Sequence, residues 1–502
     1  MSILGLEIGT TGCSAVIFAR NGEILGRAQR TYPLLHPESG AMELDSDFVL
    51  ARVRETVISA VDSAGDHDPI TTLCAAVQGE TVVPVDAMGH PLAPALTTFD
   101  SRPTPQAEIL ARDIGRERLF GITGLPLHPM STLCKILWWK QRRPDLLAHT
   151  FQFLGFDALL LRALGLPALT DFSMAGRTML LDLHTRSWST SLLEIAGLDF
   201  ELLPRLAAAG TRVGKLPPAM ARRWHLPPEV TVVLGGHDQA CAVLGCGASE
   251  PGMAMNAMGE VESLAATLEM PVLTPAMLDN HYACYPHVIP NRYLTLAYNF
   301  AGGSLLRWFR DTLGEAERSE AEERGLPFTD ILLAKAGREP SPILILPYFA
   351  TAGTPWMDPH ARGAIIGLTV TTPKAHIVKA LFDSLAYDLR LNLERLAEAG
   401  VDIHTLRVIG SGAQSATWLT LKANILDRVV VGVPITDAPA LGAAQLAGMA
   451  TGIYRDLEEA VALTICVGHR AEATPAEVAR YTHPFRIYQQ LYPALREVLH
   501  EL

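Results

Sequence analysis

The sequence is poor in the features that announce specialised chemistry. Its seven cysteines (Cys13, Cys74, Cys134, Cys241, Cys246, Cys284, Cys466) are scattered, odd in number and form no C-x-x-C pair. With no histidine cluster nearby, a disulfide framework and a zinc module are both excluded, and reduced, mostly buried thiols are expected. Positive charge is in deficit: 41 Lys and Arg against 53 Asp and Glu give a formal net charge of −12. Nucleic acids and anionic membranes need a cationic face, so neither is an expected partner. The greasiest stretch, around Phe151 to Leu166, is broken by Asp157 and Arg162 and is too short to span a bilayer. The N-terminus, MSILGLEIGTTG, lacks the basic region and long apolar run of a signal peptide, so a cytoplasmic protein is expected. No G-x-x-x-x-G-K-[ST] occurs, and no G-x-G-x-x-G opens a βαβ unit. The P-loop and Rossmann readings fail.

What remains is an ordinary globular composition, 49% apolar and 19% charged, in a chain of 502 residues. That length exceeds what one hydrophobic core supports, so two large domains are expected. Residues 3–8 (ILGLEI) form an apolar run that breaks at Gly9-Thr10-Thr11-Gly12. A second run, Ala15 to Ala19, meets Asn21-Gly22, a strong hairpin signal, and Glu23 to Ala28 then alternates. Three antiparallel strands are expected there, then a helix over 45–63 and a strand over 72–77. The order predicts an α/β sheet with an antiparallel edge.

Strand, small loop, strand recurs at Met253 to Met258, Gly259 and Ser263 to Leu268. This suggests a duplicated topology and places a boundary near residue 247, giving domains 1–246 and 247–502. Further strands are read at 230–234, 343–347 and 406–409, and helices at 376–399 and 439–452.

Several apolar strands end in glycine-rich segments read as turns: Gly9-Thr10-Thr11-Gly12, Gly235-Gly236-His237-Asp238, Gly259 and Gly410-Ser411-Gly412-Ala413. Such turns expose backbone N–H groups and let a phosphate approach closely. Distributed over both halves, they suggest a phosphate site in a cleft. Asp238 follows a buried strand and precedes an apolar helix. It can cap a helix starting near Gln239 or accept a proton from an attacking hydroxyl, and the pattern alone does not choose.

Together these segments resemble the FGGY family of carbohydrate kinases, over essentially the whole chain and in order. The carriers are EIGTTG, VQGETVVPVDAMGHPL followed by FDSR, STLCKILWWKQRRP, GGHDQACAVLGCG, RGAIIGLTVTTPKAHIVKALFDSLAYDLR and GSGAQSATW. The resemblance implies two actin-like (ribonuclease-H-like) α/β domains with the active site in the cleft between them. It implies ATP and Mg²⁺ as cofactors and a small sugar or polyol as substrate. Asp238 would be the general base and Glu7 would stand near Mg²⁺. Thr10 and Thr11 would bind phosphates, and Gly303, Gly412 and Ala413 would line the nucleotide pocket. Gly79 and Glu80 match sugar-contacting positions, with Asp100 and Gln239 as further candidates. A homodimer is the default assembly.

Three positions depart from the family pattern. Glu7 stands where Asp is usual and Ser14 where Lys or Arg is common. Glu260 follows Gly259 where a small hydroxyl residue is usual, and so falls among the nucleotide-side positions. A carboxylate beside a triphosphate repels it unless a cation compensates. The competing expectation is therefore a degenerate kinase acting as a non-catalytic sugar-binding regulator. The Gly79-Glu80 pair also differs from the Met-His pair of close xylulose kinases, which leaves the sugar open.

Overall fold

The computed structural model describes residues 1–65 and 68–502. The N-terminal sheet is built on β1 (Ser2–Ile8), β2 (Gly12–Phe18) and β3 (Ile24–Thr31). The helix α1 (Ser46–Ala64) follows, capped by the Asp45 side chain on the Phe48 amide at 3.0 Å. It leads into β4 (Ile70–Val77), which runs parallel to β1, while β1–β2 and β2–β3 are antiparallel. After a long excursion of helices and short strands come β5 (Arg212–Lys215) and β6 (Thr231–His237). The sheet order is β5-β6-β4-β1-β2-β3.

The strand β6 runs directly into helix α2 (Asp238–Gly245) with His237 at the N-cap. This corrects the turn read at Gly235-Gly236-His237-Asp238: both glycines lie inside the strand, at a register shift against β4. They are there for contact. A Cβ on Gly235 would sit 1.9 Å from the Ala75 carbonyl oxygen, and one on Gly236 would sit 2.5 Å from Val288.

The second sheet repeats the plan. Its strands are β7 (Met253–Met258), β8 (Glu262–Leu268), β9 (Ala283–Pro286), β10 (Tyr293–Asn299), β11 (Thr405–Gly410), β12 (Val429–Gly432) and β13 (Arg470–Ala471). They are ordered β9-β10-β8-β7-β11-β12-β13. Thus β7, β8, β10, β11 and β12 reproduce the pairing and directions of β1, β2, β3, β4 and β6. The edge strands β5 and β13 reach equivalent places from opposite directions along the chain. The duplicated topology read from the sequence is present.

The intervening helices are α3 (Gly302–Thr312), α4 (Lys374–Glu398), α5 (Ala416–Leu426) and α6 (Ala438–Thr451). The small-residue sequence APALGAAQLAGMAT makes α6 thin enough to cross α2 at backbone contact. A Cβ on Gly442 would lie 1.9 Å from the Cys241 carbonyl oxygen, and one on Gly245 would lie 2.0 Å from that of Ala438. Helix α6 also packs on β1 and β4, so a helix of the second unit is seated on the first sheet. Six of the seven cysteines are buried, all seven are free, and Cys466 is exposed. Among the described residues no helix is long and apolar enough to cross a membrane.

Candidate active site

The β1–β2 connection is a tight hairpin tip. Gly9 N–H donates to the Gly12 carbonyl at 2.9 Å, and the Tyr32 hydroxyl donates to the Gly9 and Gly12 carbonyls at 2.5 and 2.9 Å. Thr11 stands exposed at the tip, and its carbonyl accepts from the Tyr32 N–H. The Thr10 hydroxyl donates to Gln78 Oε1 at 2.9 Å, which ties this turn to the end of β4 just before Gly79.

Gly79 and Glu80 follow that strand. A Cβ on Gly79 would meet His237 Nε2 at 2.8 Å, so glycine is what lets the imidazole lie against this loop. Glu80 is buried with φ +57°, a strained conformation for a non-glycine residue. Its carbonyl is held by the Thr132 hydroxyl at 3.1 Å and by Lys135 Nζ at 2.8 Å. Its carboxylate is held by Arg177 Nε at 2.6 Å and the Thr98 hydroxyl at 3.2 Å. Burial alone would push the Glu80 carboxyl up, but Arg177, His237 and Lys135 outweigh it and keep it below the usual glutamate value. Glu80 and Arg177 line a cavity of about 470 Å³, mouth included, together with His128 and Ser131 from the first half and His281 and Tyr298 from the second.

Asp238 opens α2 beside this cavity. Its Oδ1 accepts from the Gln239 amide at 2.6 Å and lies 3.3 Å from His237 Nε2. The helix therefore starts one residue earlier than the sequence suggests, and the carboxylate bonds its first turn as expected. Burial, reinforced by the charge of Glu7, pushes the Asp238 carboxyl up to about 8. Gln239 reaches the other way: its Oε1 accepts from the Ser263 hydroxyl of β8 at 3.3 Å.

Glu7, near the end of β1, is also raised, first by burial and then by Asp437. Ser14 stands 3.4 Å from it, so the position where a cation is common in the family supplies a hydroxyl to Glu7. Asp437, at the N-cap of α6, is paired with Arg27 at 3.1 Å. The charge of Glu7 also reaches Asp238, whose carboxyl it helps to raise. Among the described residues no three His, Cys, Asp or Glu side chains form a group that could hold a metal ion.

A second cavity, about 460 Å³ with its mouth, is lined by Gly259, Gly302, Gly303, Ser411, Gly412 and Trp418. Gly303 N–H donates to the Gly259 carbonyl at 2.7 Å, which joins the β7–β8 turn to α3. Gly412 faces the Met258 thioether, and Ala413 is buried behind it with its N–H on the Gly410 carbonyl at 3.1 Å. Glu260 sits at the rim, paired with Arg307 of α3. The cation that the sequence required to offset Glu260 is therefore Arg307. We expect Arg307→Ala to raise the KM for ATP about tenfold, the equivalent of ~1.4 kcal/mol, and Arg307→Ala with Glu260→Gln to return it toward the parent value. Initial-rate kinetics at varied ATP checks this. An unchanged KM in the single variant would mean that Glu260 does not reach the phosphates.

Asp100 stands apart from both cavities. Its buried carboxylate is spent on Arg102, on the Met42 amide at 3.0 Å and on the Arg102 amide at 3.1 Å. Its link to the site runs through charge: Glu80 first and then Asp100 oppose the burial that pushes Lys135 down to about 8.

Sequence reasoning missed Arg177, Lys135, Tyr285 and Arg307. Arg177 carried a signal, a lone cation in the otherwise small and apolar segment SMAGRTMLL, and Lys135 a similar one in STLCKILWW. Tyr285 and Arg307 carried none, because each is recruited by a partner far away in the chain.

The model of the N-terminal domain of the FGGY family of carbohydrate kinases matches residues 2–245, and that of its C-terminal domain residues 255–451. Xylulose kinase of Bacillus subtilis (strain 168) is 26% identical over 501 residues, 99% of this chain and 97% of its own. Glycerol kinase of Bordetella pertussis (strain Tohama I) is 31% identical over 476 residues, 91% of this chain and 90% of its own. The ligand-bound crystal structure of xylulose kinase from Lactobacillus acidophilus aligns with a TM-score of 0.89 at 22% identity, covering 99% of this chain and 98% of that one. Both halves of the family's two-domain, actin-like fold are present in order, and the chain belongs to the FGGY family of carbohydrate kinases, ATP-dependent enzymes.

Proposed function

We propose that the enzyme transfers the terminal phosphoryl group of ATP to a hydroxyl of a small sugar, ketose or polyol, with Asp238 as the general base. The observation that carries this reading is electrostatic. Asp238 feels the charges of Glu7, near the end of β1, and of Glu80 and Arg177, and the last two line the polar cavity. A base there can take the proton of a hydroxyl as its oxygen attacks phosphorus.

In this reading residues 1–246 hold the sugar and the base, and residues 247–502 hold the nucleotide. His281, Ala283 and Tyr298 are lent across to the sugar cavity. Glu80, kept ionised, accepts hydrogen bonds from vicinal hydroxyls, and Arg177 holds it in place. Thr11, and Thr10 once its hydroxyl turns from Gln78, donate to phosphate oxygens. Gly303, Gly412 and Ala413 let the nucleotide approach the backbone, with Trp418 and Leu306 as apolar walls. Glu7 would hold the Mg²⁺ that accompanies ATP, whose charge offsets that of the phosphates. Catalysis is then positioning plus charge neutralisation in a closed cleft.

The test is Mg-ATP-dependent ADP release across ketoses, polyols and sugar acids. Turnover confined to one substrate class supports the proposal and names the substrate. Release with no sugar dependence would sink it.

A further inference from the structure

Resting on the assignment of Asp238 as the base, we propose that Tyr285 and His237 form a positioning pair that orients Asp238, anchoring its Oδ1 so that Oδ2 is the atom that receives the substrate proton. Tyr285 belongs to β9, the edge strand of the second sheet, yet it is fully buried against the first domain. The strand is pinned there by the Cys284 amide on the Gly124 carbonyl at 2.7 Å, and Gly176 lies directly against Tyr285 and Pro286.

The His237 ring is fixed on every side. Its backbone N–H donates to the Ser173 hydroxyl at 2.9 Å, and Ser173 in turn donates to Asp171 Oδ1 at 2.8 Å. Gly79 leaves room beneath the ring. Nδ1 is 3.0 Å from the Tyr285 hydroxyl, and Nε2 is 3.3 Å from Asp238 Oδ1. Arg177 stacks on the Tyr285 ring at 4.8 Å and so closes the group.

The proton inventory has one consistent solution when Asp238 is ionised. Burial, with Arg177 beside it, pushes the His237 imidazole down to about 3, so the ring is neutral, with one donor and one acceptor nitrogen. An ionised carboxylate only accepts, so the hydrogen must sit on Nε2. Nδ1 is then an acceptor, and the Tyr285 hydroxyl is its donor. Oδ1 receives the Gln239 amide and faces His237 Nε2–H, which leaves Oδ2 without a protein partner among the described residues. The proposal requires this 3.3 Å contact to tighten into a hydrogen bond once substrate is bound. The charged and titratable groups facing this cluster are Glu7 from β1, Glu80 from the loop after β4, Asp171, Arg177 and Cys241 of α2. Tyr285 is itself held protonated, first by burial.

Without its donor from Tyr285, Nδ1 is free to carry the hydrogen, and Nε2 then turns a lone pair toward Oδ1. Tyr285→Phe keeps the ring and removes only the hydroxyl. It is expected to lower kcat about tenfold, the effect of one lost hydrogen bond, with KM for sugar and ATP within about twofold of the parent. The pH at which kcat/KM reaches half its plateau should move upward, because ionised Asp238 loses support. His237→Ala should lose more than Tyr285→Phe, and His237→Gln, which restores an amide donor, should recover part of the loss. Melting curves of all three verify folding. Parent-like kcat and pH profile in folded Tyr285→Phe would overturn the inference, as would equal losses in kcat/KM and thermal stability with no pH shift. Asp238→Asn, run alongside, separates the two levels: if that variant stays active the base assignment itself fails, and if it is inactive while Tyr285→Phe is unaffected only the positioning role fails.

Discussion

Asp238→Asn lowers kcat by about a thousandfold or more, within the range for losing a general base, and at the same time raises thermal stability at neutral pH. The two effects share one cause. The Asp238 carboxyl is pushed up to about 8 by burial and by Glu7, so the native state holds a proton that the unfolded chain, with an aspartate near ~3.9, releases. Stability tied to this group is present at low pH and is lost as pH rises through the interval between those values, because there the folded state binds more protons. Asparagine removes that dependence while keeping an oxygen for the Gln239 amide. Catalysis runs the other way. A base must be ionised, so kcat/KM of the parent enzyme should climb from pH 6 and level off above about 8. In the variant the residual activity should be flat over that range. Paired melting curves and kcat/KM profiles between pH 6 and 9 are the check. A variant that keeps most of its kcat, or a parent profile already flat at pH 6, would remove Asp238 from the chemistry.

The fold was largely legible because its signals are local. Apolar runs ended by Gly9 and Gly259 mark the two β-hairpins, and the apolar spacing over 45–63 marks α1. The helix read over 376–399 is found at Lys374–Glu398 with the same logic. Local reading failed at Gly235-Gly236, where glycine usually means a turn. Here it means close contact, of Gly235 with the backbone of β4 and of Gly236 with the Val288 and Ser173 side chains, all far away in the sequence.

The candidate site divides the same way. Asp238 was singled out from its place between a buried strand and an apolar helix, and Glu7 and Glu80 through the motifs that carry the family resemblance. Residues whose role is to neutralise a distant charge were not. Arg307 answers Glu260 across 47 positions and Arg177 answers Glu80 across 97, and no periodicity connects them. Asp100 illustrates the converse, since its motif was readable but its carboxylate is committed to Arg102.

Lys422→Met destabilises the second half of the chain by about 3–5 kcal/mol, the usual result of removing one partner from a buried ion pair. Lys422, on α5, is fully buried, and its Nζ donates to Asn256 Oδ1 at 2.5 Å and to Glu262 Oε1. Asn256 Nδ2 completes the triangle with Glu262 at 3.0 Å, and Trp418 lies 5.1 Å from the ammonium. Burial lowers the lysine, and Glu262 opposes it. Remove the ammonium and Glu262 is left desolvated and without its cation, directly beneath the cavity that it lines with Trp418. The double variant Lys422→Met with Glu262→Leu removes both charges and should regain most of the stability, since apolar replacements of buried pairs are commonly neutral or better. Urea unfolding of each variant at pH 8, with its KM for ATP, measures all of this. A single variant as stable as the parent at pH 8, or a double variant no better than the single, would show that the triangle is not what anchors α5 to the β7–β8 hairpin.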